Sequence, residues 1–468
     1  LDRIEPARSG SAARDHFAGS IRLARRRLDL ALTLDPRTAR DIRLIHRHPK
    51  IAFWLVSCGL IYLVWQRCPT ALSHAQFWAE DGWVWYPQSY AMGWHCLLID
   101  HTGYLQTISR LVALLSLLWP LTDAPKVFAC AALLMQAAPA IFLVSPRMAP
   151  AIPSLGLRLG LALLLLAIPG MSEVYVNLTN SQWHLALLAF LILTAAPALT
   201  WPQRIFDTLV LLVSGLSGPF SPVLVPVALL WCWRQPGRGQ VWRLGVLALT
   251  ALVQLGFVVF HQSSRAAGAY GLGWSLHRLL DIVDINILGV AALGRERMIN
   301  HYWIVGEGWL SNGQPLPTLI AAGLMAGALA LAAIAFIRGP WVLRAFLIFA
   351  GGELAASLID GIAPGESTWA SMEHDIGMRY YFHPIAAWLA ILVTLICDRS
   401  SPMLRAIGGA IMALSLTLAV PADWALPKLE RTAFHREAKA FDRAPPGTVM
   451  SFPVRPAYLH KPMLLVKR

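Results

Sequence analysis

The chain has 468 residues, 56% of them hydrophobic and only 14% charged, with a formal net charge of +13. Apolar runs of about 16 to 22 residues recur along nearly the whole length, each close to what a helix needs to cross a bilayer. This predicts an all-α polytopic membrane protein and excludes an outer-membrane barrel, whose strands alternate apolar and polar residues. The Arg residues fall mostly between the runs, with no aromatic-interleaved basic stripe, which excludes a nucleic-acid partner and assigns the charge to topology and anionic membrane lipids.

In chain order, residues 1–50 are polar and basic, with Arg22, Arg25, Arg26 and Arg27. They show no cleavable signal pattern and read as a cytoplasmic segment. Within it, 21–34 is either an amphipathic helix on the inner leaflet or a disordered positive arm. A first span near 51–66 then carries the chain to the outer face by the positive-inside rule.

There Phe77-Trp78-Ala79-Glu80-Asp81-Gly82-Trp83 sets two adjacent carboxylates among indole rings. Ionised acids held beside aromatic rings at a membrane face are costly to desolvate, so a reaction site is the first reading. Neighbouring side chains on a helix diverge by about 100°, so a single acid is expected to face the reacting atoms. Asp81 is the expected base and Glu80 the second choice, with Gly82 allowing close approach. Cys68 and Cys96 flank this loop and read as either a disulfide, in an oxidising compartment, or separate thiols. The apolar stretch 104–119 carries Arg110 and reads as an interfacial helix on the outer face, a true crossing being the alternative.

Further spans are expected near 127–145, 156–169, 182–199, 205–217, 220–233, 243–260, 316–337, 341–360, 380–397 and 404–420, about eleven in all with the first. Trp65, Trp119, Trp201 and Trp233 sit at run ends, as interfacial anchors do. Arg147, Arg158, Arg204, Arg234, Arg238, Arg243, Arg338, Arg344, Arg399 and Arg405 then share the inner face. The outer face collects polar groups. Asn177, Asn180, Ser181, Gln182, Trp183 and His184 lead into a span, suited either to hydroxyl recognition or to capping the helix. The turn Ser217-Gly218-Pro219 reads as a cavity lining or a tight hairpin. The long loop 261–315 holds Arg265, Tyr270, Arg295, Glu296, Arg297, His301 and Glu307. Glu373, His374 and Asp375 point in different directions if helical, a poor metal signature. Arg379 beside Tyr380 is suited to binding a phosphate, or else to snorkelling towards lipid headgroups. The tail 422–468 reads as a small soluble appendage with a short strand at 449–454.

These features divide the chain into a cytoplasmic segment 1–50, a transmembrane domain 51–421 with outer loops, and a small C-terminal appendage 422–468 on the outer side. Glu80-Asp81-Gly82 after span one, with Asn180-Ser-Gln-Trp-His184 and Arg379-Tyr380 and the many spans, resembles the GT-C superfamily of membrane glycosyltransferases. The chain lacks the Trp-Trp-Asp signature of oligosaccharyltransferases. The resemblance implies a bacterial inner-membrane enzyme that moves one sugar from a polyprenyl-phosphate donor to a glycan or lipid acceptor at the periplasmic face, with inversion. It implies Asp81 as general base with Glu80 in reserve, Arg379, Tyr380, Arg110 and Arg265 as donor-phosphate ligands, and Asn180, Gln182, Trp183 and His184 as sugar ligands. A divalent metal ion at Glu80 or Asp81 is an open option. The competing readings are an O-antigen ligase or polymerase, and a lipid-linked sugar flippase or other transporter, which would place ionisable groups within the spans; Glu353 is the exception noted there.

Overall fold

The structure is a computed structural model that describes residues 49–260, 271–298, 315–361, 365–373, 377–457 and 461–468. The chain divides into two units, Leu1–Cys58 and Gly59–Arg468, with the boundary falling in the sequence of the first long helix. In chain order the principal helices are α1 (Pro49–Arg67), α2 (Tyr86–Met92), α3 (Thr107–Ser116), α4 (Ala124–Val144), α5 (Leu155–Leu166), α6 (Ser181–Thr194), α7 (Trp201–Gly215), α8 (Phe220–Arg234) and α9 (Arg238–Phe260). They are followed by α10 (Leu276–Val283), α11 (Pro315–Arg338), α12 (Trp341–Asp360), α13 (Thr368–Glu373), α14 (Phe382–Cys397), α15 (Pro402–Leu414) and α16 (Phe434–Arg443). Strands β1 (Val449–Phe452) and β2 (Met463–Val466) pair antiparallel, with Val449 opposite Val466.

Among the described residues seven helices are long and apolar enough to cross a membrane: α1, α4, α9, α11, α12, α14 with its leading turn, and α15 with its continuation to Asp423. The sequence predicts eleven spans, and that number is not reached by length. Helices α5, α6, α7 and α8 have 12, 14, 15 and 15 residues. At about 1.5 Å rise per residue they extend roughly 18–23 Å, less than the ~30 Å hydrocarbon core. Irregular segments such as 167–180 lengthen the path, and such backbone is tolerated at depth where protein buries it. Helix α3, the doubtful 104–119 stretch, has ten residues, about 15 Å, too short to cross by itself.

Helix α6 forms the centre of the bundle. Each of its residues is buried, and it packs against α3, α4, α7, α8 and α14. A helix apolar all round is kept from water either by lipid or by protein, and here protein encloses it. Its C-terminal end meets a buried ionic cluster: Arg147 reaches both Asp207 oxygens at 2.7 Å and Arg243 reaches Asp207 Oδ2 at 2.7 Å. Both arginines also donate to the Ala196 carbonyl, satisfying acceptors just beyond the helix end. At the same end of the connected helices, Arg234 and Arg344 stack on Trp341, and Arg338 pairs with Asp398 at 3.1 Å. Arginines predicted to share one face therefore do gather there. Asp207 is an ionisable group within the predicted span 205–217, and its two cationic partners close it from water.

The opposite end of α6 opens onto the acid turn. Arg67, at the end of α1, donates to the Leu166, Asp423 and Trp424 carbonyls and lies 3.9 Å over the Tyr175 ring. One guanidinium thereby ties α1, α5 and the end of the α15 continuation together. No disulfide joins Cys68 to Cys96. The Cys68 thiol contacts Thr70 Oγ1 and the Pro427 carbonyl, and Cys96 contacts Ser89 Oγ.

Candidate active site

Two irregular segments form the site end of the bundle. The first is the acid turn. Ala79 adopts a left-handed conformation, φ +46°, and from Asp81 to Trp85 the helix is wound wide before α2 begins. Such wide turns occur often at functional sites. The second segment, 167–180, is anchored by Gln136 of α4. Its amide donates to the Val174 and Asn177 carbonyls at 3.1 and 3.0 Å and accepts from the Val176 amide at 2.8 Å. Val176 itself has φ +62°, a conformation that a β-branched residue rarely adopts and that surrounding structure must impose.

The two acids have different environments. Asp81 is 2% exposed; its Oδ2 accepts from the Leu178 amide at 3.2 Å, and Oδ1 has no hydrogen-bond partner. Burial pushes this carboxyl well above the usual carboxylate range, the Leu178 and Thr179 amides opposing and Glu80 adding to the rise. Burial therefore favours its neutral form relative to an exposed carboxyl, and its bond to the Leu178 amide makes it an anchoring group. Glu80 is half-buried, and its Oε2 accepts from the Thr179 hydroxyl at 3.1 Å. That hydroxyl in turn accepts from Trp85 Nε1 at 3.1 Å. Glu80 lies within electrostatic reach of Arg379 and His101. Burial lowers the His101 imidazole below its usual range, Glu80 pulling the other way, so His101 is neutral near pH 7.

Arg379 enters from the turn that leads into α14. Its guanidinium pairs with Glu173, its amide donates to Glu173 Oε2 at 3.1 Å, and its charge lies 4.9 Å from the Tyr380 ring centroid. Trp183 stands edge-on to Tyr380 at 5.5 Å and to Phe220 at 4.8 Å. The structure thus gathers Glu80, Thr179, Glu173, Arg379, Tyr380 and Trp183 at one end of α6.

Other predicted site residues are engaged elsewhere. Arg110 is 0% exposed; it donates to Gln88 at 2.9 Å and stacks on Trp85 at 5.3 Å, a buried position that does not suit a phosphate ligand. His184 is 2% exposed, packed against Tyr175 and Phe382, with both ring nitrogens lacking a partner. Asn180 donates to the Glu173 carbonyl at 2.8 Å and makes no side-chain cap of α6. Gln182 is buried with its Oε1 unpartnered. Arg265, Tyr270, His301, Glu307, His374 and Asp375 lie outside the described residues, as do 1–48. No group of three or more His, Cys, Asp or Glu side chains suited to a metal ion occurs among the described residues.

Sequence reasoning missed Gln136, Thr179 and His383. His383 pairs with Glu353 and donates from Nε2 to the Trp183 carbonyl at 3.1 Å, a buried contact just below the Trp183 ring. Lone polar residues in otherwise apolar runs were the available signal for Gln136 and Glu353, since a polar group in a span requires a named partner. An apolar cavity of about 320 Å³ lies between α4, α5, α6, α12 and α14, lined by none of these site residues. Leu165, Ile168 and Leu187 line the part nearest the site, and Pro340, Val393 and Cys397 the part nearest the arginine-rich end.

Comparison with protein-family models, with curated proteins and with solved structures finds no match for this chain.

Proposed function

We propose that the protein is an inverting membrane glycosyltransferase that takes a sugar from a polyprenyl-phosphate donor and passes it to a hydroxyl of a glycan or lipid acceptor. The observation that carries this reading is a half-buried acid, Glu80, within electrostatic reach of the cation Arg379 at one end of α6, in a bundle that also holds an apolar cavity. The acceptor oxygen attacks the anomeric carbon as Glu80 takes its proton, and the carbon–oxygen bond to phosphate breaks on the opposite face. Arg379 stabilises the charge arriving on the phosphate oxygen, with Tyr380 beside it. The isoprenoid chain occupies the cavity. Glu80 replaces Asp81 as the preferred base, because Asp81 is closed from solvent and held by the Leu178 amide, whereas Glu80 is half-open and can meet an acceptor hydroxyl. Asp81 instead anchors the turn to Leu178.

The positive-inside rule supports placing the arginine-rich end in the cytoplasm and the acid turn in the periplasm of a bacterial inner membrane. The C-terminal appendage contacts the acid turn, which requires an even number of crossings between them. Six of the seven long candidate spans follow the turn, and counting the four short helices as well makes ten, so either count satisfies the requirement.

The test is mass spectrometry of surface glycans and glycolipids from cells carrying wild-type or equally expressed Glu80→Gln protein. The expected result is loss of one sugar mass with accumulation of its polyprenyl-phosphate donor. An unchanged profile would remove Glu80 from the chemistry. The buried Glu353–His383 pair favours a second reading, transport of a lipid-linked sugar. Translocation in proteoliposomes with no new glycosidic product would support that one.

A further inference from the structure

The C-terminal segment is joined to the acid turn through backbone as well as side chains. The Arg455 amide donates to the Phe77 carbonyl at 2.9 Å, the Ala79 amide donates back to the Arg455 carbonyl, and Trp78 and Arg455 form a parallel bridge. Ala79, held by that bond, is the left-handed residue immediately before Glu80. A residue with a Cβ occupies this conformation only where its surroundings enforce it.

Val454 presses on the same turn from the adjacent position. A Cβ at Gly82 would lie 2.6 Å from Val454 Cγ2, so this approach is open only to glycine. Around the contact, Phe77 meets Phe434 at 5.6 Å, Phe434 and Phe441 pack on Phe452, and the Arg468 amide reaches the Tyr90 hydroxyl at 3.3 Å. The helix α16 and the β1–β2 hairpin therefore fix Val454 and Arg455 in place against the turn.

We propose that Val454 and Arg455 are positioning residues for Glu80: the C-terminal segment sets the Ala79 conformation from which the Glu80 carboxylate is presented to Thr179 and Arg379. The consequence for turnover rests on the reading of Glu80 as base. The consequence for the conformation of the turn does not.

Hydrogen–deuterium exchange on the full chain in detergent tests the proposal, using Val454→Asp, which sets a charge against Phe77 and Gly82, with Val454→Ala and Arg455→Ala as conservative variants that keep the backbone bonds. In Val454→Asp the amides of 79–86 and 449–466 are expected to exchange about tenfold faster, with α6 and α14 unchanged. Its kcat is expected to fall about tenfold with donor KM unchanged. Arg455→Ala, which keeps the backbone bonds, should resemble the wild type, whereas Val454→Ala, which withdraws the side chain from Gly82, should speed exchange in 79–86 and lower kcat by a smaller factor than Val454→Asp; a Val454→Ala protein identical to the wild type would overturn the role of Val454. Faster exchange in 449–466 with unchanged exchange in 79–86 would overturn the proposal. So would loss of protection in 79–86 with kcat intact in an enzyme that Glu80→Gln inactivates. Should Val454→Asp fail to accumulate, Gly82→Ala forces the same contact apart and is read by the same two segments. Full activity in Glu80→Gln would sink the base assignment alone, leaving the exchange data to decide the positioning claim.

Discussion

The Leu178 amide donates to the Asp81 carboxyl at 3.2 Å, and this bond joins the acid turn to the buried segment that Gln136 supports from α4. The neighbouring Glu80 bonds Thr179 of the same segment. Two adjacent acids thus clasp two adjacent residues, one contact buried and the other reachable from outside.

This difference separates the two acids by mutation. Glu80→Gln removes the proton acceptor and is expected to lower kcat by about 10² to 10⁴, the usual range for a general base. Asp81→Asn keeps the size of a buried anchoring group and an oxygen that can accept from the Leu178 amide, so the loss is expected to stay within about tenfold. Product formation by mass spectrometry at equal expression decides, and the reverse order of effects would return the base role to Asp81.

At the far end of α6, Asp207 is the sole carboxylate seen bonding both Arg147 and Arg243 among the described residues. Asp207→Ala leaves two cations buried without a counter-charge, with an expected destabilisation of about 3–5 kcal/mol. A thermal unfolding midpoint in detergent equal to that of the wild type would show that water or lipid headgroups compensate.

Asp281 and Asp284 form a pH-dependent element at α10 and the turn after it. Burial raises Asp281 to about 8, with Glu373 and Asp284 adding to the rise, and raises Asp284 to about 6. In the unfolded chain both titrate near the usual value of about 4. Between the unfolded and folded values the native state holds more protons, so stability falls as pH rises from about 4 to about 8. Asp281→Asn should flatten this decline and make the protein more stable than wild type at the alkaline end. Parallel stability–pH curves for the two proteins would exclude the assignment.

Leu161 lines the apolar cavity. Leu161→Trp should fill part of it and weaken a long-chain polyprenyl-phosphate donor by about tenfold, at a packing cost of about 1–3 kcal/mol. A donor analogue with a chain of only a few carbons should be turned over as by the wild type. Equal losses with both donors would place the chain elsewhere.

Much of the architecture was legible from hydropathy, because a polypeptide in lipid must satisfy its backbone internally and therefore forms helices wherever apolar runs are long. The helix positions, the collection of arginines at one end and the strand near residue 450 followed from local composition, while the stretch 104–119 was open to a crossing until its helix proved to have only ten residues. The span count did not, since α5 to α8 end early at segments such as 167–180, and hydropathy averages over those ends. The relation of the two acids was also hidden. Glu80 and Asp81 are neighbours of the same charge in the sequence, and it is the packing of 173–180 on the turn that buries one and leaves the other half-open.

By itself, then, the sequence determined that the chain is a helical membrane protein, where its helices lie and which residue types collect on its polar loops, since those properties depend on segment length and side-chain transfer to lipid. The tertiary structure decided the roles. It converted Arg110 and His184 into buried packing groups, gave Asp207 and Glu353 their partners, and brought Arg379 and the C-terminal Arg455 to the acid turn. Desolvation and hydrogen bonding between distant segments set those outcomes, and neither can be read from local composition.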